Sequence, residues 1–246
     1  MPLSKPFLIL QLRPEDDTSD SEYAALLKYG GLAEADTHRI RIEQAGIPEL
    51  NLTDYSAIIV GGSPFDISTP EQDKSPIQKT IERDFHDLFD QVVLQDFPFL
   101  GACSGCGLLG SYLDTPISRQ YGEPVSEVTV FQTEDAQNDP LLKGFPQEIS
   151  VLLGHKEACD RPPKGATLLL SGDHCRVQMF RVGDNVYATQ FHPEGDSEGF
   201  TTRIHAYKDF GYFDPHEADD LIAAIERAET PYAQAILKRF VQRYAA

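Results

Sequence analysis

Short apolar runs alternate with amphipathic segments along the first half of the chain. Predominantly apolar stretches at residues 7–12, 57–60 and 97–100 predict buried strands, and the alternation at residues 39–43 predicts one more. Apolar positions around Tyr23 and Leu26, followed by two glycines, predict a helix. A longer helix is predicted from Pro76, with Ser75 as its cap. Strands therefore alternate with helices in this half.

The second half is richer in β-branched residues. Residues 125–130, 149–153, 166–170, 177–180 and 186–188 predict strands, partly antiparallel because some of the turns between them are short. Helix starts follow at Asp214 and Thr230, each of which precedes a proline. We therefore predict one domain over residues 1–211 and a helical extension over 212–246 that packs on it.

Together these elements predict an α/β fold with a mostly parallel central sheet and helices on both faces. This is a three-layer αβα arrangement of the flavodoxin-like type, extended by C-terminal helices. The 246 residues suffice for one sizeable core. No internal repeat is present.

The charge balance narrows the range of partners. The formal net charge is −18, which disfavours nucleic acids and anionic membranes because both would repel the protein. No apolar run approaches the ~18 residues of a membrane span, and no leader precedes the first strand. We expect a soluble cytoplasmic protein with its four cysteines reduced, and neither a cofactor nor a metal.

Cys103 follows the predicted strand at residues 97–100 and is flanked by Gly101 and Gly105. Glycines on both sides allow a sharp turn from strand to helix and a close approach of substrate. A helix start at Ser104 is expected to lower the pKa of the thiol. These features indicate a nucleophile, whereas a buried structural cysteine is the competing interpretation.

His192 and Glu194 supply the groups that a cysteine nucleophile needs. Residues i and i+2 of an extended segment share a face, so the carboxylate can orient the imidazole. Gly61 and Gly62 end the strand at residues 57–60. The N–H groups of Gly62 and Ser104 are predicted to form an oxyanion hole, worth about 3 kcal/mol per donor. The set indicates acyl transfer through a thioester.

These segments resemble the class I (triad-type) glutamine amidotransferases, and among them the glutaminase domain of GMP synthase. The resemblance runs from about residue 6 to residue 194. It is carried by residues 59–64, 100–105 and 190–194, with weaker matches at residues 119–122 and 154–157.

The resemblance implies roles for individual residues. Cys103 would attack the side-chain amide of glutamine, His192 would protonate the departing ammonia, and Glu194 would orient His192. It further implies a glutamine pocket lined by Gly61, Gly107, Tyr121 and Gly122, supported by the segment around His155. A separate synthase subunit is the expected consumer of the ammonia.

The chain departs from the family pattern at two places. Cys106 and Gly107 stand where the family has a pair such as His-Gln, whose glutamine helps to hold the substrate. We therefore expect a changed grip on the substrate. No ATP pyrophosphatase segment or nucleotide loop follows, so the chain is expected to be an ammonia-producing half or a free-standing amidase.

Other functions compete with the amidotransferase. The strongest is a hydrolase of γ-glutamyl peptides or γ-glutamyl amines that uses the same triad. Cys103 and Cys106 also form a C-x-x-C pair, which would suit a redox role. A zinc site is conceivable by ligand count, and a binding protein without catalysis is disfavoured by the complete triad. The zinc set would comprise Cys103, Cys106, His174 and Cys175.

Overall fold

A computed structural model describes residues 3–245. Eleven strands are present among these residues, and nine of them form one sheet in the order β2-β1-β3-β4-β11-β10-β9-β6-β7, while β5 pairs with β8. The strands are β1 (Phe7–Gln11), β2 (Thr37–Arg41), β3 (Ala57–Val60), β4 (Phe99–Ala102), β5 (Ile117–Ser118), β6 (Glu123–Gln132), β7 (Glu148–His155), β8 (Ala158–Cys159), β9 (Thr167–Gly172), β10 (Met179–Val182) and β11 (Val186–Thr189).

Seven α-helices surround the sheet in the described part of the chain. Two of them, α5 and α2, were not predicted from the sequence. The helices are α1 (Asp16–Gly30), α2 (Ile42–Ala45), α3 (Pro76–Leu94), α4 (Ser104–Tyr112), α5 (Ser197–Tyr207), α6 (Ala218–Ile225) and α7 (Pro231–Tyr244). Among residues 3–245, none combines the length and apolar character that crossing a bilayer requires.

The sheet divides into two halves of different strand direction. β2, β1, β3, β4 and β11 pair in parallel, whereas the pairings from β11 through β10, β9 and β6 to β7 are antiparallel. The parallel strands β1, β3, β4 and β11 are buried along their whole length, as sheets covered on both faces require. The predicted α/β class is confirmed.

Two apolar clusters cover the two faces of the sheet. One joins alternate residues of β1 and β3 to α1 and α7, and the other joins the intervening residues to α3 and α4. Ile236 and Phe240 of α7 are fully buried in the first cluster. The third cluster lies between β6, α5 and α6 and contains Phe200, Ile204 and Ile225.

The sequence prediction was inexact at the second strand. The strand occupies residues 37–41 and not 39–43, because Ile42 already begins α2 and buries its side chain under the sheet. The strands β3, β4 and β11 lie side by side and all end at the same edge. Segments that leave these three strands are therefore brought together at one edge, where the candidate site lies.

Candidate active site

Cys103 forms the turn between β4 and α4. Its backbone has φ 50° and ψ −97°, a conformation that L-residues rarely adopt. A Cβ on Gly101 would lie 2.8 Å from the carbonyl carbon of Gly105, so this tight turn requires glycine at 101. The Cys103 N–H donates to the Thr189 carbonyl at 2.7 Å, which fastens the turn to the end of β11.

His192 and Glu194 follow β11 and are both buried. Nδ1 of His192 lies 2.7 Å from Oε1 of Glu194, and Nη2 of Arg203 donates to the same oxygen at 2.9 Å. The carboxylate therefore orients the ring through Nδ1 and leaves Nε2 for the thiol. The His192 N–H donates to the Leu152 carbonyl at 3.0 Å, which fixes the segment to β7.

A second buried ion pair, between Arg13 and Glu22, adjoins the first, since Arg203 Nη2 lies 3.7 Å from Oε1 of Glu22. Nε of Arg13 donates to Oε1 of Glu22 at 2.8 Å, and Nη1 of Arg13 donates to the Tyr207 hydroxyl at 3.3 Å. The same Glu22 oxygen accepts the backbone N–H of Gly62 at 3.1 Å. A Cβ on Gly62 would lie 2.5 Å from Arg13 Nη2 and 2.8 Å from His192 Cε1, so these two groups leave no room for a side chain at this position.

The environment sets the protonation states of the three central groups. Burial, reinforced by the positive charge of Arg203, lowers the pKa of His192 even though Glu194 acts to raise it. Burial would raise the pKa of Glu194, but His192 and Arg203 outweigh it and keep this carboxyl ionised. Burial raises the pKa of the Cys103 thiol to about 11, against the lowering expected from the helix N-terminus. The resting site thus pairs a thiol with a neutral imidazole.

The two predicted oxyanion donors differ in whether their N–H groups are already hydrogen-bonded. Among residues 3–245, the Ser104 N–H has no backbone acceptor, so it is available to a ligand, and its side chain lies 2.8 Å from Ser63 Oγ. The Gly62 N–H is already donated to Glu22. A two-donor oxyanion hole from Gly62 and Ser104 is therefore not formed in this structure, and Gly62 must leave Glu22 to take that role.

Cys103, Ser63 and Tyr212 stand between two cavities. We call the first the His192 cavity; it has a volume of about 30 Å³ and is lined by Cys103, Ser63, Tyr212, His192, Arg13, Arg203, Val125, Gly154, Phe200, Tyr207 and Phe213. The second, the Gly107 cavity, has a volume of about 30 Å³ and is lined by Cys103, Ser63, Tyr212, Ser104, Gly107, Gln190, His155, Lys156, Glu157, Asp66, Phe65, Ile67 and Ile117. The nucleophile can therefore be approached from two sides.

Of the residues predicted to line the substrate pocket, only some lie at the two cavities beside Cys103. Gly107 lines the cavity named after it, with Ile67 close above it. Gly61 lies against the Glu22 carboxylate, where a Cβ would be 2.2 Å from Oε2. Gly122 lines a separate shallow cavity beside the site, and within residues 3–245 Tyr121 lines neither cavity at Cys103 but packs on His174.

The four residues of the alternative zinc set are not gathered into one site in the described residues. His174 is exposed, whereas Cys106 is fully buried. Another group, Glu123, His155 and Cys175, places three buried ligand-type atoms within 4.8 Å of one another. These could surround a metal, but His155 Nε2 lies 3.1 Å from Glu123 and Gln178 donates to the same carboxylate at 2.8 Å. The Glu123 carboxylate is therefore already hydrogen-bonded to two protein side chains.

Several residues of the site were not predicted from the sequence. Among them, Arg13, Arg203 and Tyr212 line the His192 cavity, and Glu22 is the ion-pair partner of Arg13. A signal existed for α5, because Asp196 caps it through the Gly199 N–H and Phe200, Ile204 and Tyr207 follow at helical spacing. No local sequence pattern predicts the ion pair of Arg13 and Glu22.

Comparison with known families identifies the family of the chain. A family model described as glutamine amidotransferase class-I matches residues 17–208. The chain belongs to the class-I glutamine amidotransferases. The match covers most of the chain and includes all three residues of the predicted triad.

Curated proteins share part of the sequence. The chain is 28% identical to a glutamine-hydrolysing GMP synthase subunit of Saccharolobus solfataricus over 152 residues, which cover 60% of this chain and 71% of that protein. It is 29% identical to the protein of the same name from Sulfolobus acidocaldarius over 144 residues, 58% of this chain and 69% of that protein.

Solved structures share the fold over nearly the whole length. A glutamine amidotransferase from Thermotoga maritima superposes with a TM-score of 0.76 at 22% identity, covering 97% of this chain and 98% of that one. A protein from Thermoplasma acidophilum, described as one subunit of a GMP synthase, gives 0.60 at 18% identity, covering 96% and 93%. These structures extend the likeness in fold beyond the aligned sequence and include the C-terminal helices.

Proposed function

We propose that this class-I glutamine amidotransferase hydrolyses the side-chain amide of glutamine through a thioester on Cys103. The observation that carries the proposal is the cavity shared by Cys103 and His192, in which Glu194 holds the far nitrogen of the imidazole at 2.7 Å. Cys103, His192 and Glu194 thus supply the nucleophile, the base and the orienting acid that acyl transfer requires.

The protonation states suggest the order of proton movement. With the pKa of Cys103 near 11, the thiol loses its proton to Nε2 of His192 as sulfur attacks the amide carbon. The negative charge that develops on the amide oxygen is held by the Ser104 N–H, joined by Gly62 once it leaves Glu22. His192 then passes the proton to nitrogen, ammonia departs, and water cleaves the thioester to glutamate.

The Gly107 cavity is suited to the glutamyl part of the substrate. Oε1 of Gln190 is buried in its wall and has no hydrogen-bond partner among the described residues. Lys156 and Asp66 form an ion pair of 2.8 Å in the same wall and so offer both signs of charge to an α-amino acid. Gln190 can thereby supply the substrate hydrogen bond that Cys106 and Gly107 cannot provide.

A separate synthase subunit is proposed as the partner that accepts the ammonia. The support is the name of the relatives, which are glutamine-hydrolysing subunits of GMP synthases. No residue of the described site identifies the acceptor chemistry.

A second candidate keeps the triad and changes the substrate. A hydrolase of γ-glutamyl peptides or γ-glutamyl amines would break the same bond with a larger leaving group. The apolar part of the lining of the His192 cavity favours it, because ammonia would make no use of Val125, Phe200 and Phe213.

The two candidates share one decisive experiment. Ammonia release from glutamine and amine release from γ-glutamyl compounds are measured for the wild type and for Cys103→Ala. We expect Cys103→Ala to abolish both, and the glutamine analogue 6-diazo-5-oxo-norleucine to label Cys103. Cys106→Ala is the matched control and should retain turnover. Unchanged turnover in Cys103→Ala would refute the mechanism, and labelling at Cys106 would favour the redox alternative.

A further inference from the structure

The free space beside the Cys103 sulfur is smaller than a substrate. The His192 cavity and the Gly107 cavity each have a volume of about 30 Å³, which is roughly the share of one water molecule in liquid water. Sites that hold small molecules usually measure about 300–1,000 Å³. Part of the wall must therefore move to admit a glutamyl compound to the sulfur, a conclusion that rests on the proposed function.

A larger and more open cavity adjoins this space. This shallow cavity has a volume of about 270 Å³ and is lined by Arg119, Gly122, Glu123, Pro124, His155, Lys156, Gly211 and Tyr212. It shares His155, Lys156 and Tyr212 with the Gly107 cavity. Within residues 3–245, Tyr212 is the one residue that lines the shallow cavity, the Gly107 cavity and the His192 cavity together. It therefore stands where the three cavities meet.

Two of the three shared residues are firmly held. The imidazole of His155 lies 3.0 Å from the Glu157 carbonyl through Nδ1 and 3.1 Å from the Glu123 carboxylate through Nε2. Lys156 forms an ion pair of 2.8 Å with Asp66. His155 ends β7 and Lys156 follows it directly, so the sheet restrains both.

Tyr212 is held more weakly. Its hydroxyl donates to the Ser63 carbonyl at 3.4 Å, which is longer than the usual range of about 2.5–3.0 Å for such contacts. The centroid of its ring lies 4.8 Å from Lys156 Nζ and 6.1 Å from the centroid of the Tyr207 ring. The loss of one long hydrogen bond and of these ring contacts would free the side chain.

The backbone around Tyr212 is equally suited to movement. Residues 208–217 connect α5 to α6, and all of them are exposed except Tyr212 and Phe213, which are half-buried. Gly211 has φ 79°, which glycine adopts without strain. Within the described part of the chain, no backbone hydrogen bond fastens residues 211–213 to the sheet. Segments of this kind open at a low cost in free energy.

We propose that the shallow cavity is the entrance for the substrate and that Tyr212 is the gate between this entrance and Cys103. Rotation of the ring away from Ser63 joins the shallow cavity to the Gly107 cavity and to the His192 cavity. The glutamyl part then has a continuous path to the sulfur, and the leaving nitrogen comes to lie beside His192.

Alkylation of Cys103 measures the opening without any turnover. Rates with iodoacetamide and with the larger N-phenylmaleimide are determined at Cys103 by tandem mass spectrometry. The ratio of the maleimide rate to the iodoacetamide rate cancels changes in thiol reactivity. Tyr212→Ala should raise this ratio about tenfold, because no ring has to move. Tyr212→Phe keeps the ring and should raise it by no more than about threefold, the value of one weak hydrogen bond. An unchanged ratio in Tyr212→Ala would overturn the inference.

A second variant tests the competing entrance on the side of His192. Phe213 follows Tyr212 in the chain but lines the His192 cavity and not the shallow cavity. Phe213→Ala should therefore leave the ratio of alkylation rates near its wild-type value. A larger increase in Phe213→Ala than in Tyr212→Ala would place the entrance at the His192 cavity and refute the gate.

Filling the entrance should have the opposite effect. Pro124 is an exposed residue in the wall of the shallow cavity, so Pro124→Trp narrows this cavity and leaves Tyr212 in the chain. Both the alkylation ratio and kcat/KM on glutamine should fall several-fold. Pro146→Trp is the matched control, because Pro146 is exposed and lines none of the three cavities. Equal effects of the two variants would contradict the entrance.

The two measurements separate the gate from the proposed function. An alkylation ratio that responds to Tyr212→Ala and to Pro124→Trp, without hydrolysis of any glutamyl compound, would refute the proposed function and retain the gate. Hydrolysis of glutamine with the same alkylation ratio in the wild type and in Tyr212→Ala would retain the function and refute the gate.

Discussion

Glu22 accepts the backbone N–H of Gly62 at 3.1 Å. The acceptor is a fully buried carboxylate, and the donor belongs to the glycine that the sequence predicts to stabilise the oxyanion. A hydrogen bond to a carboxylate is stronger than one to a neutral oxygen, so the donor is held away from the reaction until something displaces it. The charged groups around this bond should therefore affect both stability and turnover.

Glu22→Ala should destabilise the fold strongly. It leaves Arg13 as a buried cation without its carboxylate, a defect that usually costs about 3–5 kcal/mol. Urea unfolding measures the free energy. The matched control is Asp20→Asn, which breaks the exposed pair of Asp20 with Arg39 and should cost no more than about 1 kcal/mol. Equal losses in the two variants would contradict the role of Glu22.

Gly62→Ala should impair both stability and turnover. The new Cβ would lie 2.5 Å from Arg13 Nη2 and 2.8 Å from His192 Cε1, so one or both groups must move. Overpacking of this kind costs about 1–3 kcal/mol, and a displaced imidazole lowers kcat. Gly199→Ala, whose Cβ would have its nearest neighbour at 3.3 Å, is the control and should be tolerated. Wild-type kcat in Gly62→Ala would show that the clash relaxes harmlessly.

Arg203→Gln should shift the acidic limb of the pH profile to higher pH. In the proposed mechanism neutral His192 is the active base, so kcat/KM should fall as the pH drops through its pKa. Burial and the Arg203 charge hold that pKa below its usual value of about 6.5. Removing a neighbouring cation favours the imidazolium and raises the pKa. Arg203→Lys keeps the charge and should keep the limb near its original place. An unchanged pKa of the acidic limb in Arg203→Gln would argue against this electrostatic coupling.

Glu194→Gln should lower kcat by about 10³- to 10⁴-fold, because the amide no longer selects the imidazole tautomer with its free nitrogen towards the thiol. The steady-state rate on glutamine or a γ-glutamyl amino acid tests this. Asp196→Asn, two residues further along, keeps a capping side chain on α5 and should retain most of the activity. A loss below tenfold in Glu194→Gln would place the orienting role elsewhere.

Tyr212→Ala should change substrate binding more than Tyr212→Phe. The ring separates the two cavities, with Lys156 Nζ 4.8 Å from its centroid, and its hydroxyl donates to the Ser63 carbonyl at 3.4 Å. Phenylalanine keeps the partition, whereas alanine joins the cavities. We therefore expect KM to rise several-fold in Tyr212→Ala and to change little in Tyr212→Phe. Similar KM values in both variants would show that the ring is not a partition.

The sequence was most informative where the chemistry is local. The glycines around Cys103 and the two-residue spacing from His192 to Glu194 are readable because each is fixed by a few neighbouring backbone angles. The inner parallel strands β1, β3 and β4 were equally visible, since strands buried on both faces are largely apolar, whereas the polar edge strand β2 was misplaced.

The charged surroundings of the triad were not readable in the same way. Arg13 and Arg203 are far apart in sequence and meet at the site through β1 and α5, an approach that depends on the assembled sheet. The protonation of Cys103 was misjudged for a related reason. The helix start is a local feature, whereas the burial that raises the thiol pKa comes from segments distant in sequence.

The glutamate that orients His192 is itself held by a residue that follows it in the chain. Arg203 and Tyr207 on α5, and then Tyr212, return to the cavity after the last triad residue has been laid down. A fragment ended at Glu194 would contain every residue of the predicted triad and still lack Arg203, the cation that binds the Glu194 carboxylate. Transplanting the three residues into a related scaffold would therefore need the helix that follows them as well.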